Sequence, residues 1–154
     1  MVSDSLKITG KLKVQKYDQD NNLVDSREIP NLVVASGKSH IAQRITANSN
    51  PSSIQGDVMS HMSIGGAATS PTASDTILGS EMGRVSLTST SVAANAITYG
   101  ATFPGGTATG TIKEAGIFNS AGSNSGTLLC RTTFADINKG ASDAVVITWN
   151  VSVA

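Results

Sequence analysis

The end of the chain, Val145-Val146-Ile147-Thr148-Trp149-Asn150-Val151-Ser152-Val153, decides the fold class. Large apolar side chains occupy alternate positions along it, and mostly polar side chains lie between them. Successive side chains of an extended chain point to opposite faces, so this alternation is typical of a strand with one buried face. The pattern therefore predicts that Trp149 is buried and lies at the centre of the core.

Similar alternation recurs upstream and is interrupted by turn-forming residues. It is clear over 97–103 and 128–134, and Pro104-Gly105-Gly106 ends the first of these stretches. About eight or nine short strands are predicted in this way, separated by turns rich in Gly, Pro, Asn and Ser. We therefore expect an all-β fold, either an antiparallel β-sandwich or a jelly-roll-like domain.

One short helix is expected among these strands, over about residues 37–47. Ser36 is a plausible N-cap because its hydroxyl can accept a bond from a free backbone N–H of the first turn. Ile41 and Ile45 lie one helical turn apart, which gives the helix one apolar side.

The middle of the chain has weaker patterns. They predict a loop over 48–57, a strand over 58–64, a surface loop over 65–74 and a single strand over 84–92. Ser74-Asp75-Thr76 is suited to cap one turn of helix before the following glycine.

The N-terminal segment predicts a hairpin over 5–29. Lys7, Lys11 and Lys13 alternate with apolar residues, so the three lysines are expected on one solvated face. The turn-rich run 18–22 separates the two strands, and Pro30 follows the second. A length of 154 residues is typical of one domain. Within it, we expect 31–154 to form the sandwich core and 5–29 to form a hairpin that could act as an arm on a neighbouring subunit.

Composition excludes several classes of protein. Eleven Lys and Arg residues balance eleven Asp and Glu residues, so the basic stripe that nucleic-acid binding needs is not expected. Only 14% of the residues are charged, and such a surface suits a protein that is buried in an assembly, although a secreted β domain with few charges has a similar composition. Cys130 is the single cysteine, the first seven residues lack a signal-peptide core, and no apolar run is long enough to cross a membrane.

The motifs that resemble catalytic or binding sites are incomplete. Gly37-Lys38-Ser39 lacks the first glycine of a phosphate-binding loop, because Leu32 occupies that position. The only histidines are His40 and His61, and chance proximity to one of many serines would carry little meaning. Asp57 with His61, and the acidic turn at 18–22, lack the further ligands that zinc or calcium sites need. We therefore expect no catalytic residues, no cofactor and no metal.

Several stretches together resemble a group of small virion structural proteins of tailed bacteriophages. Their order and spacing carry the resemblance, which covers about four-fifths of the chain and the N-terminal hairpin less clearly. The matching stretches are Asn31-Leu32-Val33-Val34, Gly37-Lys38, Ser63-Ile64-Gly65-Gly66, Pro71-Thr72-Ala73-Ser74-Asp75-Thr76, Leu78-Gly79-Ser80-Glu81, Tyr99-Gly100-Ala101-Thr102-Phe103, Glu114-Ala115-Gly116-Ile117-Phe118-Asn119, Cys130-Arg131-Thr132, Phe134, Ile137-Asn138-Lys139-Gly140 and Ile147-Thr148-Trp149.

The resemblance implies a structural role on the virion and no catalytic residues. Similar sequences occur as capsid decoration or cement proteins and as attachment domains of tail fibres and neck proteins. Because no fibre shaft is encoded, we expect a decoration protein that binds the major capsid protein on the assembled capsid, made in the cytoplasm of the bacterial host.

We further expect a homotrimer, with Lys7, Lys11 and Lys13 as candidate capsid contacts and with no nucleic-acid or membrane partner. The alternatives are a neck, tail or head-fibre attachment component and, more remotely, a small carbohydrate-binding β-sandwich. Carbohydrate binding would need exposed aromatic side chains, and aromatic residues make up only 4% of the chain.

Overall fold

A computed structural model describes residues 5–45 and 58–154. Over these residues the chain forms ten strands and one helix. In chain order they are β1 (Ile8–Tyr17), β2 (Leu23–Pro30), β3 (Leu32–Val33), α1 (Ala35–Ile45), β4 (His61–Gly65), β5 (Glu81–Ser86), β6 (Ser89–Ala93), β7 (Ala96–Phe103), β8 (Gly110–Phe118), β9 (Leu128–Lys139) and β10 (Ala144–Val153).

The strands form two five-stranded sheets in which every pairing is antiparallel. The first sheet has the order β2-β1-β10-β7-β6, and the second has the order β3-β9-β8-β4-β5. The chain crosses between the sheets after β2, β5, β7 and β9. The predicted all-β, antiparallel sandwich with one short helix is therefore confirmed.

The main core lies between the two sheets. β10 contributes Val145, Ile147, Trp149 and Val151, all essentially inaccessible to solvent, and Trp149 is 0% exposed. The facing side chains of the second sheet come from β4, β8 and β9 and include Met62, Ile64, Ile112, Ile117 and Leu129. Burial of these side chains is the main force that holds the sheets together.

A smaller core lies on the outer side of the second sheet. It consists of Val34, Leu78, Phe118 and Leu128, and the exposed fraction of each residue is at most 1%. Leu78 comes from the segment 66–80, which crosses this side of the sheet between β4 and β5. The second sheet is thus buried on both of its faces over this area.

The helix differs from its predicted bounds. It starts at Ala35 rather than about residue 37, and residues 46 and 47 of the predicted helix lie outside the described residues. Ser36 is not the N-cap, because it lies inside the helix and its Oγ donates to the carbonyl of Leu128 at 2.9 Å. A side chain at position 37 would collide with the backbone of Leu129, so Gly37 lets the helix lie directly against β9.

Three other local predictions need correction. The single strand expected over 84–92 is two strands, because the chain passes from the second sheet to the first between them. The strand expected over 58–64 begins at His61, and the residues around Asp75 form a turn rather than a turn of helix. The loop expected over 48–57 lies outside the described residues.

The N-terminal hairpin is an integral part of the first sheet and not a separable arm. β1 pairs with β10 along all ten of its residues, from Ile8 opposite Val153 to Tyr17 opposite Ala144. Leu12 and Val14 are each 1% exposed and belong to the main core. Removal of β1 would therefore expose that core. For this reason the prediction of a hairpin that lies as an arm away from its own core is wrong.

Candidate functional site

Within 5–45 and 58–154, no element covers the outer side of the first sheet, and this polar surface carries the three lysines predicted as contacts. Lys11 and Lys13 are exposed because they alternate along β1 with the buried Leu12 and Val14. Lys7 precedes β1, and two backbone bonds to Ala154, of 2.6 and 2.7 Å, continue the ladder there. We call this surface the open face and define it by Lys7, Thr9, Lys11, Lys13, Thr98, Thr148, Asn150 and Ser152.

Neighbouring strands extend the open face with short polar side chains. Lys11 lies opposite Asn150, which lies opposite Thr98, and the Thr98 Oγ1 donates to Asn150 Oδ1 at 2.6 Å. Two residues farther along β1, Lys13 lies opposite Thr148. The Thr, Ser and Asn side chains are short, so the lysines are the longest side chains of the open face.

The lysines of the open face are weakly engaged within the chain. Lys11 Nζ lies 3.6 Å from Glu28 Oε2, and the two side chains are 62% and 63% exposed. An ion pair so well hydrated contributes at most about 1 kcal/mol. These cations are therefore available to a partner at little energetic cost.

Most other cations instead hold parts of the molecule together. Arg27 donates to the carbonyls of Ala135 and Asp136, and Lys139 Nζ donates to the carbonyl of Pro104 at 2.9 Å. Lys16 Nζ lies 3.1 Å from Asp143 Oδ2. Their charges serve internal bonds, in contrast to those of the open face.

The most extensive buried polar cluster lies on the outer side of the second sheet. Arg131 donates through Nε and Nη2 to Glu114 Oε2, at 3.0 and 2.8 Å, and through Nη1 to Asp75 Oδ2 at 2.7 Å. Glu114 is 0% exposed, so this ion pair is shielded from water. We call the set of Glu114, Arg131 and Asp75 the Glu114 clasp.

The Glu114 clasp fastens the segment 66–80 to the sheet. Both Glu114 oxygens accept backbone N–H bonds from this segment, from Gly79 at 2.9 Å, Ser80 at 2.7 Å and Ala67 at 3.2 Å. Burial raises the pKa of the Asp75 carboxyl, but hydrogen bonds from Thr72 and from Arg131 outweigh that effect and lower the pKa below its usual value. The segment is thus held by charged bonds as well as by Leu78.

A second buried ion pair fastens the loop after β8. Arg84 Nε lies 2.9 Å from Glu81 Oε1, and the guanidinium stacks 3.8 Å from the centre of the Phe118 ring. The Arg84 Nη1 donates to the carbonyls of Ser120 and Ser125 at 2.9 and 3.0 Å. This arrangement closes the loop over the second sheet.

The motifs that carry the sequence resemblance meet in these two clusters. The stretches at 71–76, 78–81, 114–119 and 130–132 contribute Thr72, Asp75, Gly79, Glu81, Glu114, Phe118 and Arg131. Sequence analysis did not predict the clusters. The available signal was a pair of opposite charges with apolar neighbours, Glu114 before Ala115-Gly116-Ile117-Phe118 and Arg131 after Leu128-Leu129-Cys130.

His61 lies beside two serines. Its Nδ1 is 2.8 Å from Ser60 Oγ, and its Nε2 is 3.3 Å from Ser86 Oγ. Desolvation and the nearby Arg84 charge lower the pKa of the imidazole, so the ring is neutral at pH 7. In the part of the chain that the structure describes, both ring nitrogens face serine hydroxyls, and no carboxylate bonds to the ring as in a hydrolase triad.

Cys130 is fully buried, and burial raises the pKa of its thiol well above the usual value. The residues that the structure describes contain no group of three or more His, Cys, Asp or Glu side chains placed to hold a metal ion. None of the helices among them is long and apolar enough to cross a membrane.

The aromatic side chains lie inside the molecule. Trp149, Phe103, Phe118 and Tyr99 are buried, and Tyr17 and Phe134 are half-buried. A cavity of about 270 Å³ opens between α1 and the sheets, and most of its lining, including Ile41, Met59 and Val151, is apolar. Neither feature offers the exposed aromatic platform on which a sugar ring stacks.

A scan against family models, a search of curated proteins and a search of solved structures each found no match to the chain. Its function is therefore inferred from its own motifs and from its surface geometry.

Proposed function

We propose that the chain is a structural protein of a tailed-phage virion that decorates the assembled capsid and stabilises it. Its partner is the major capsid protein, and it lies on the capsid surface after synthesis in the bacterial cytoplasm. Three copies form a symmetric unit around a three-fold position of the shell, as small capsid-bound subunits follow the symmetry beneath them. In this role the chain is not an enzyme.

The observation that carries the proposal is the open face. It combines short polar side chains with three exposed cations, Lys11 and Lys13 on β1 and Lys7 just before it. An acidic capsid surface would attract these lysines, and the Thr, Ser and Asn side chains would add hydrogen bonds. Many modest contacts repeated over several copies provide attachment through avidity.

The charged bonds that hold two loops of the second sheet support this role. The Glu114 clasp and the Arg84–Glu81 pair fix the segment 66–80 and the loop after β8 through charged hydrogen bonds. Because these two loops are already held in place, binding does not need to order them, and more of the contact energy remains as affinity. A protein that binds the assembled shell but not its separate subunits stabilises the shell by mass action.

The alternative is a neck, tail or head-fibre attachment component with the same fold. The open face would serve there equally well, and the two roles differ in copy number and position. A carbohydrate-binding role has less support, because the aromatic side chains are buried or half-buried.

The test uses capsids and unassembled capsid protein of the phage that encodes the chain. The purified protein should sediment with assembled capsids and not bind the unassembled subunits. Particles stripped of it should release DNA at a lower temperature than complete particles. Equal robustness of both particles, or a label found only at the neck or tail, would reject the decoration role and favour the alternative.

Two single variants test the surface itself. Lys13→Glu reverses a charge on the open face, and Lys113→Glu reverses one on β8 of the second sheet, where Lys113 lies 3.6 Å from Asp136. Capsid binding should weaken with the first variant and fall less steeply as salt is added. It should remain near wild type with the second, and equal effects of both would count against the open face.

A further inference from the structure

The two edges of the first sheet differ in their chemistry. The β2 edge carries Asp25, Arg27 and Glu28, ends at Pro30 and pairs with β1 through an irregularity at Lys16 and Tyr17. Charges, proline and irregular pairing are the features by which native sheets prevent their edges from joining other strands. The β2 edge is therefore protected.

The β6 edge has no such charges. Its five residues, Ser89-Thr90-Ser91-Val92-Ala93, are all exposed and uncharged, and the whole stretch from Val85 to Ile112 contains no charged side chain. In the described part of the chain, β6 pairs with β7 alone. Its far side thus presents backbone N–H and C=O groups that a further strand could bind.

Val92 adds an apolar reason for a partner. It lies opposite Ile97, and Thr90 lies opposite the buried Tyr99, so both point toward the core side of the sheet. Val92 is nevertheless 70% exposed. A strand added beside β6 would cover this side chain.

The chemistry of the edge restricts what can bind it. The occupant must be an extended, uncharged segment with an unpaired backbone edge of its own. The other edge strands of the described chain do not qualify, since β2 is charged, β5 contains Glu81 and Arg84, and β3 has only two residues. β6 itself meets every requirement.

We propose that β6 pairs with β6 of a second copy of this chain, antiparallel about a two-fold axis at Ser91. This register places Thr90 opposite Val92 of the copy and Ser89 opposite Ala93 of the copy. Residues directly opposite in an antiparallel pair share a face, so each Val92 gains a β-branched neighbour on the core side. The first sheets of the two copies join into one continuous sheet.

The contact is small, with five residues from each copy, and interfaces of this size are weak and reversible. It does not depend on attachment to a capsid. Where another surface already forms a trimer, β6 pairing links one trimer to the next.

Cysteine cross-linking tests the register directly. Opposed side chains at the axis have Cβ atoms about 4.5–5.5 Å apart, close to the spacing of a disulfide. Ser91→Cys should therefore form a disulfide-linked dimer on mild oxidation, while the buried Cys130 stays unreactive. Ser26→Cys, at an exposed position of the β2 edge, is the matched control and should not form the dimer.

Sedimentation of the uncrosslinked protein tests the strength of the contact. The average mass of the wild type should rise reversibly toward twice the monomer mass as its concentration approaches and exceeds about 1 mM. Ser91→Lys places like charges opposite each other and should weaken association by at least about tenfold, whereas Ser26→Lys should not. The proposal is overturned by a wild type that does not associate, by association unchanged in Ser91→Lys, or by equal cross-linking at positions 91 and 26.

Discussion

The outer sides of the two sheets use their charged residues in opposite ways. On the open face of the first sheet, Lys7, Lys11 and Lys13 are hydrated and project into solvent. On the second sheet, Arg131 and Glu114 are covered by the segment 66–80 and bond to it. One sheet thus holds charges that can bind a partner, and the other holds charges that complete the fold.

This difference assigns separate roles to the two halves of a nearly neutral protein. Eleven cations and eleven anions balance over the chain, but the internal pairs remove several of both signs from the surface. The arrangement on the open face, and not the net charge, then governs what the surface attracts.

Trp149 lies in the core between the two sheets, so its replacement should destabilise the protein more than a change on the outer side of either sheet. Trp149→Ala should lower the free energy of unfolding by about 3–5 kcal/mol, because it removes the largest buried side chain from the shared core. Urea unfolding measures this loss. In the wild type, emission of the single tryptophan should shift to the red only on unfolding, and a red-shifted native spectrum would contradict its burial.

Arg131→Met and Lys11→Met compare the two outer sides directly. The first variant leaves the Glu114 carboxylate buried without its cation and should cost about 3 kcal/mol or more. The second removes an exposed ion pair and should cost less than about 1 kcal/mol. Equal losses of stability in urea unfolding would show that the two sides do not differ as described.

Acid should loosen the second sheet. The pKa values of Asp75 and Glu81 are lowered in the folded protein, where hydrogen bonds from Thr72 and Arg131 to Asp75, and from Arg84 to Glu81, outweigh the opposing effect of burial. Such carboxylates stabilise the fold above their unfolded pKa values, and this stability is lost as pH falls through the lower folded values.

The expected result is a melting temperature that declines as the pH falls below the ordinary carboxyl values of 4.5 for Glu81 and 3.8 for Asp75. Asp75→Asn should be less stable than wild type at pH 7, and its stability should depend less on pH in the acid range. A variant with the full wild-type acid dependence would exclude Asp75 as a contributor.

The smallest effect on stability is expected on the open face. Replacement of Lys7, Lys11 and Lys13 together by Ala should change the free energy of unfolding by no more than about 1 kcal/mol, since the side chains are exposed. Thermal melting measures this change, and capsid binding by the same variant should fall. A loss of stability above about 2 kcal/mol would mean that these lysines support the fold.

Much of the fold follows from local sequence pattern. Alternation in β1, β7 and β10 indicates both the strands and their buried faces, because burial on one side of a sheet is a local property of the sequence. The polar side of β1 likewise predicted the exposure of the lysines.

The remainder depends on long-range contacts that periodicity does not encode. No Gly, Pro, Asn or Asp in 84–92 signals that the chain changes sheets there. The change is visible only in long-range bonds, because the Leu87 N–H binds the carbonyl of Ser60 and the Thr88 N–H binds that of Gly100. Ser36 has the side chain of an N-cap, but the carbonyl of Leu128 is its partner. The Glu114 clasp needs residues that no local window contains.

The span of the Glu114 clasp also has a consequence for the order of folding. Arg131 binds Glu114 across 17 residues, but it binds Asp75 across 56, and Glu114 binds Gly79 across 35. Closing long loops costs more entropy before contacts compensate for it, so the β8–β9 pair should form before the segment 66–80 docks. The layer that completes the second sheet should then fold after the β8–β9 pair and detach before that pair opens.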